Sequence, residues 1–299
     1  ISTNTPHVPE VCPPKYSDPY EGEYEGKVIP SVFYGMIANI DENLGKLESF
    51  LKEKGLRDNT ILVYFTDNGS QNKNAANLFN KGMKGHKGSL FEGGHRVPLF
   101  VRWIDGKLQH GKDISDLTVV KDLLPTLADF CGLEVDATQL DGTSLAPLLK
   151  GTEEKLAERI SVTQFGQKCT EWERAVVMKD KWRLLPNQQL FDISKDPHQD
   201  KNVYEQFPEI AQELTNYYTD WFKKTKPVFD QPRYTTIGSD YENPTTLYAS
   251  DWVGHYCDNR AGLFIAKGRG HWDLIVDRDG DYEIEFRRWP EESGKPLIQ

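Results

Sequence analysis

Apolar side chains return every three or four residues from Pro30 to Lys54, through Phe33, Met36, Ile37, Ile40, Leu44, Leu47 and Leu51. That period lines one face of a helix. Pro30 suits its first turn and Gly55 the position after its last. Thr60–Phe65 is then a short unbroken run of strand formers, and it ends in the polar Thr66-Asp67-Asn68-Gly69. A helix followed by a buried strand is the rhythm of a parallel α/β sheet. Val97–Trp103 reads as a second buried strand, Leu117–Phe130 as a helix despite Pro125, and Asp141-Gly142 as a turn before Leu145–Leu149. Residues 1–29, rich in Pro and Tyr, read as an irregular ordered loop.

The pattern changes near residue 156. Short strands are expected at Ile160–Phe165, Arg174–Met178, Trp182–Leu185 and Leu190–Asp192, then an amphipathic helix at Phe207–Lys223. Beyond Lys226 come five more short runs: Tyr234–Ile237, Thr246–Tyr248, Leu263–Ala266, Trp272–Val276 and Tyr282–Phe286, with Asp279-Gly280-Asp281 as a hairpin turn. The reading is therefore an α/β segment with a mostly parallel sheet flanked by helices (1–155), a smaller antiparallel sheet with a packed helix (156–225) and a β-rich tail (226–299).

Charge narrows the function. The 299 residues carry 36 Lys+Arg against 46 Asp+Glu, a formal net charge of -10, which argues against nucleic acid or an anionic membrane surface as partner. No apolar run approaches the roughly 18 residues of a membrane helix. Cys12, Cys131, Cys169 and Cys257 are far apart and form no Cys-x-x-Cys pair, so a zinc ribbon or thioredoxin-like site is excluded and buried free thiols are expected. The 7 Trp, 13 Tyr and 14 Phe suit either an aromatic core or a surface for sugars.

Three segments carry candidate chemistry. Asp67 and Asn68 place a carboxylate beside an amide carbonyl at a strand end, two hard oxygens suited to Ca²⁺ or Mg²⁺, although Asp-Asn-Gly is also a common turn. In Lys87-Gly88-Ser89-Leu90-Phe91-Glu92-Gly93-Gly94-His95-Arg96-Val97-Pro98, Lys87 is a compact cation for an oxyanion, and Gly88, Gly93 and Gly94 let backbone approach a ligand. A solvated basic loop is the plainer reading, and Lys81 and Lys84 are read that way. Pro6-His7-Val8-Pro9 restricts a histidine between prolines, which can hold an imidazole for proton transfer or anion binding.

Taken in order and spacing, these segments resemble the sulfatase family of the alkaline-phosphatase-like superfamily. The His7 segment, Tyr34–Asp41, Leu56–Thr60, Val63–Gly69, Lys87–Pro98, Asp122–Leu127, Asp141–Leu145, Trp182-Arg183-Leu184, Leu190–Asp192 and Asp196-Pro197 carry the likeness. The resemblance implies hydrolysis of sulfate esters, with Asp67 and Asn68 as Ca²⁺ ligands, Lys87 holding the sulfate and the nucleophile, and His7 contacting the sulfate or the leaving-group oxygen. It implies a formylglycine nucleophile made from Cys or Ser and a periplasmic or secreted location, while the aromatic content and the β-rich tail favour a sulfated carbohydrate over a small aryl sulfate. The loop 70–86 and the stretch Gln167–Glu173 would shape specificity.

One departure is large. The family's Cys/Ser-x-Pro/Ala-x-Arg segment does not occur; Cys12-Pro13-Pro14-Lys15-Tyr16 ends in Tyr where Arg is required. The early acidic pair of the Ca²⁺ site is not found either. The expectation is a C-terminal sulfatase part whose partner is the N-terminal part of the same domain, inactive by itself. Alternatives are a non-catalytic binding or structural protein of sulfatase descent and a related phosphoesterase.

Overall fold

A computed structural model describes residues 1–166, 170–254, 257, 262, 270–289 and 291–296. They fall into two units, Ile1–Lys226 and Pro227–Gln299. In the first, α1 (Pro14–Ser17) and a hairpin of β1 (Glu23–Tyr24) and β2 (Lys27–Val28) precede the long helix α2 (Ser31–Glu53), which starts beside Pro30 as the pattern predicts. Phe33, Met36 and Leu51 are buried, whereas Ile37 is exposed. Gly35 sits where α1 meets α2. A Cβ there would lie 2.8 Å from Cys12 Sγ and 2.9 Å from the Ser17 nitrogen, so only glycine permits this contact.

After α2 comes β3 (Leu62–Phe65), then α3 (Lys73–Leu78), α4 (Glu92–His95) and β4 (Leu99–Arg102). Both strands arise where expected, but they pair antiparallel, from Leu62↔Arg102 to Phe65↔Leu99. This corrects the mostly parallel sheet. A parallel return needs a crossover, usually a helix long enough to cover the sheet. Here residues 66–98 hold only two short helices and a folded loop, and the chain comes back along β3 from the opposite end.

The helix expected at Leu117–Phe130 is a single 3₁₀ turn followed by α5 (Leu123–Cys131), and Gly132 ends it at φ 65°. Pro125 lies in the first turn of α5, where its missing N–H is no loss. α6 (Ala146–Lys150) follows. The buried carboxylate of Asp122 ties this region together. It accepts from the Val119 and Thr143 amides at 2.8 and 2.9 Å and from Arg159 Nη1 at 2.8 Å. Thr126 Oγ1 donates to the Asp122 carbonyl and accepts from the Leu145 amide. The motifs Asp122–Leu127 and Asp141–Leu145 thus bond directly to each other.

Strands β5 (Ile160–Gln164), β6 (Ala175–Lys179), β7 (Trp182–Leu185) and β8 (Gln189–Asp192) form an antiparallel sheet in that order, and α7 (Pro208–Phe229) packs on it. Ala175 and Val177 point to one core with Leu184, Leu190, Leu214 and Tyr218. Val176 and Met178 point to another, with Leu185 and Phe191, against Leu90, Phe91 and Leu117. A strand covered on both faces reads as a continuous apolar run, which explains Ala-Val-Val-Met.

In the second unit, β9 (Thr235–Ile237) and β10 (Leu274–Val276) pair in parallel. Thr246–Tyr248 and Tyr282–Phe286 are not strands, and no hairpin forms at Asp279-Gly280-Asp281. The Tyr282 hydroxyl instead donates to the Arg278 carbonyl, and Ile284 and Phe286 are exposed, so this alternating run has no sheet to pack on among the described residues. The expected strand Leu263–Ala266, Cys169, and Gln167 and Lys168 of the Gln167–Glu173 stretch lie outside the described residues. Of the other cysteines Cys257 is buried, Cys12 half-buried and Cys131 exposed, so buried thiols hold for one of the three.

Candidate functional site

Strand β3 delivers Asp67 and Asn68 to its carboxyl end. Asp67 is exposed and Asn68 half-buried. The Asn68 amide donates to Asp67 Oδ2 at 2.6 Å, which orients the two side chains together. The Asn68 side-chain oxygen receives no donor among the described residues. The pair offers a charged and a neutral hard oxygen, the right chemistry for Ca²⁺. The described residues hold no group of three or more His, Cys, Asp or Glu that could bind a metal, so Asp67 and Asn68 could supply part of a coordination sphere.

Lys87 is brought to the same place by backbone bonding. Its amide donates to the Ser70 carbonyl at 2.9 Å, two residues past Asn68, and the Gly69 amide donates to the Gly94 carbonyl at 3.0 Å. Three glycines make this loop-on-loop contact possible. A Cβ at Gly69 would lie 1.9 Å from the Gly93 oxygen, one at Gly93 2.4 Å from the Gly85 oxygen, and one at Gly94 2.1 Å from the Ser89 oxygen. The close approach made by Gly93 and Gly94 is therefore to this protein's own backbone, correcting their reading as a cradle for ligand. Gly88, at φ 83°, makes the turn that follows Lys87. The Lys87 ammonium is half-buried and has no ion-pair partner among the described residues, so its charge is available to a ligand.

His7 is exposed, with Nδ1 at 2.9 Å from the Val8 carbonyl. A carbonyl only accepts, so Nδ1 carries the proton there and Nε2 is free. The next acidic residue, Glu10, accepts two bonds from the Asn72 amide at 2.9 and 3.1 Å. Asn72 also caps α3, accepting from the Ala75 amide at 2.9 Å. The His7 segment is thus anchored to the loop after β3. No direct contact joins His7 to Asp67, Asn68 or Lys87.

Sequence reasoning missed what holds this loop. Glu92 of α4, 2% exposed, is paired with Arg183 of β7 at 2.7 Å, and its amide donates to Gln199 Oε1 at 2.8 Å. Arg183 spends further donors on the Asp180 and Trp182 carbonyls. Lys84, read as solvated, bonds Asp200 at 2.9 Å and lies over the Phe91 ring. The only available signal was a lone Arg in an apolar strand, Trp182-Arg183-Leu184, which is costly unless paired.

His95 lies beside this pair, 3.9 Å from Glu92. Burial holds its pKa below the ordinary 6.5; Glu92 opposes the shift and Arg183 reinforces it. The unfolded chain therefore binds a proton near pH 6.5 that the folded chain refuses. Stability is full above that pH and falls as pH drops below it. We expect thermal melts to lose stability between pH 7 and 5, and His95→Gln to flatten that slope. An unchanged slope would remove His95 as its source.

The α/β frame is shared with solved structures. Over 73% of this chain and 48% of its own, Ps i-CgsB in complex with k-i-k-neocarrahexaose superposes with a TM-score of 0.62 at 26% identity. The putative sulfatase yidJ from Bacteroides fragilis shares the fold over 75% of this chain and 53% of its own, with a TM-score of 0.57 at 22% identity. A family model described as Sulfatase matches residues 1–133, and one described as N-sulphoglucosamine sulphohydrolase, C-terminal, matches residues 84–224. Arylsulfatase K of Xenopus laevis is 27% identical over 281 residues, 89% of this chain and 48% of the relative. The uncharacterized sulfatase YdeN of Escherichia coli (strain K12) is 31% identical over 152 residues, 50% of this chain and 26% of the relative. These matches support membership of the sulfatase family, and the chain spans about half the length of the Arylsulfatase K relatives it matches.

Proposed function

We propose that this chain supplies one side of a sulfate-ester hydrolase site, on sulfated carbohydrate, in a periplasmic or secreted protein. The observation that carries the reading is the Lys87–Ser70 backbone bond, which brings the Lys87 main chain to the loop just past Asp67 and Asn68. Asp67 and Asn68 would hold Ca²⁺. When bound, Ca²⁺ supplies positive charge at the sulfate oxygens, and formylglycine supplies the oxygen nucleophile for sulfur. Lys87 binds a sulfate oxygen and stabilises negative charge as the ester bond breaks. His7, with Nδ1–H committed to the Val8 carbonyl, would carry a proton at Nε2 only as the imidazolium, and in that form would deliver it to the leaving alcohol oxygen.

The nucleophile would come from sequence outside these 299 residues, since no Cys/Ser-x-Pro/Ala-x-Arg segment occurs among them. Cys12 does not replace it: its thiol faces the Val32 carbonyl at 3.6 Å, in the crowded contact with Gly35. Exposed Phe65 and Phe100 on β3 and β4 suit cover by further sequence of the same domain. The carbohydrate preference is supported by the oligosaccharide held by i-CgsB.

The test is turnover of an aryl sulfate and of a sulfated oligosaccharide with Ca²⁺ present. The 299-residue chain alone should show none, and a protein that adds a formylglycine segment should show turnover that Lys87→Ala lowers at least roughly a hundredfold. Turnover by the chain alone that vanishes in Cys12→Ala would identify Cys12 as the nucleophile and overturn the assignment.

A further inference from the structure

A cleft of about 480 Å³ opens in the first unit, and it shares no residue with the Asp67–Lys87 site. One wall is a stripe of α7, where Glu213, Tyr217 and Trp221 recur every four residues and so stand above one another. The facing walls come from β5 with the end of β6, and from the loops at residues 119–121 and 141–143.

Most of the charge in the cleft is already matched. Lys179 is paired with Glu158 and Glu213, and Arg159 with Asp122. That leaves Lys121 and Asp141, of opposite sign. An anionic ligand would meet three carboxylates and a cationic one three basic groups, so neither is favoured. The hydroxyl groups are not matched. Ser161 is 3% exposed and lines the cleft, yet its hydroxyl has no hydrogen-bond partner among the described residues. The Tyr217 phenol also lacks one. Burial, and then Asp141, push the Tyr217 phenol above its ordinary pKa, so it remains a donor at neutral pH.

We propose that this cleft binds an uncharged sugar, with a pyranose face against Trp221 and Tyr217 and its hydroxyls on Ser161, Tyr217 and Asp141. The chemistry is that of a small pocket with aromatic surface and a few convergent polar groups. This site does not rest on the sulfatase reading, since it recognises no sulfate.

Titration calorimetry of the 299-residue chain with cellohexaose and chitohexaose tests it, with sucrose octasulfate as the anionic control. We expect saturable binding of at least one neutral hexasaccharide. Trp221→Ala should weaken it roughly tenfold and Tyr217→Phe about fivefold, and Lys87→Ala should leave it unchanged. Tyr217→Phe removes only a hydroxyl, so it reports on binding even if Trp221→Ala unfolds. Failure of both hexasaccharides to bind, or equal binding by wild type and Tyr217→Phe, overturns the proposal. Tighter binding of sucrose octasulfate that Lys121→Ala abolishes would also overturn it, in favour of an anion cleft.

Discussion

Arg183→Ala should destabilise the chain by about 3–5 kcal/mol, among the largest losses any single substitution here can cause. The guanidinium lies 7% exposed and its partner Glu92 2% exposed. Removing the cation leaves a carboxylate with almost no water and two weaker neighbours, His95 at 3.9 Å and the exposed Arg96 at 3.4 Å. Burial lowers the His95 pKa, which disfavours its taking over the charge. The desolvation cost therefore falls on Glu92 alone. The double variant Glu92→Met/Arg183→Met should recover most of the loss, because two apolar side chains of similar volume remove the buried charge altogether. Urea melts of the two single variants and the double complete the cycle. Additive losses would mean that the pair is not coupled. The position matters beyond stability: β7 holds α4 through this pair, and α4 follows directly on the turn that carries Lys87.

Elements were legible in the sequence where one physical signal dominated. The three- and four-residue apolar spacing of α2, the strand formers of β3 and β4, and the turn-separated strands β5 to β8 all lie at or within a few residues of their expected places. Pairing direction was not legible. The rhythm of α2 and β3 suggested a crossover, but direction is decided by what connects the strands, and residues 66–98 fold into a loop held by glycines too crowded for any Cβ. The tail misled for a related reason. Tyr282–Phe286 alternates as a strand would, yet alternation needs a second surface to bury against, and Ile284 and Phe286 find none among the described residues.

The same division runs through the site. Asp67, Asn68, Lys87 and His7 were visible as residue types suited to a cation and an oxyanion, and the fold sets Asp67 and Asn68 at one strand end with the Lys87 backbone bonded to the loop just beyond it. What positions them was hidden, because Arg183, Gln199 and Asn72 act across 91, 107 and 62 residues of chain. No local pattern announces such a contact. Glycine spacing was noticed in Glu92-Gly93-Gly94 and given to a ligand; the actual demand was backbone meeting backbone.

Calcium titration of the 299-residue chain should show weak binding, with a dissociation constant of about 10⁻³ M or above, that Asp67→Ala abolishes. Ca²⁺ takes about 6–8 oxygens, and affinity rises with the number of charged ligands and the rigidity of the site. Asp67 and Asn68 contribute few oxygens and a single negative charge, and the bond from the Asn68 amide to Asp67 Oδ2 occupies one lone pair of that carboxylate. The Lys87 backbone is bonded just past the same strand end, and on the proposed reading its ammonium, unpaired among the described residues, opposes a divalent cation until an anion balances it. Two changes should therefore strengthen binding: addition of sulfate, and Lys87→Ala in sulfate-free buffer. In Lys87→Ala the benefit of added sulfate should disappear, since the lysine is what couples anion to cation. Tight binding that Asp67→Ala leaves untouched would place the metal elsewhere. Sulfate that helps wild type and Lys87→Ala equally would separate Lys87 from the anion, and with it the residue-level case for a sulfate-ester site.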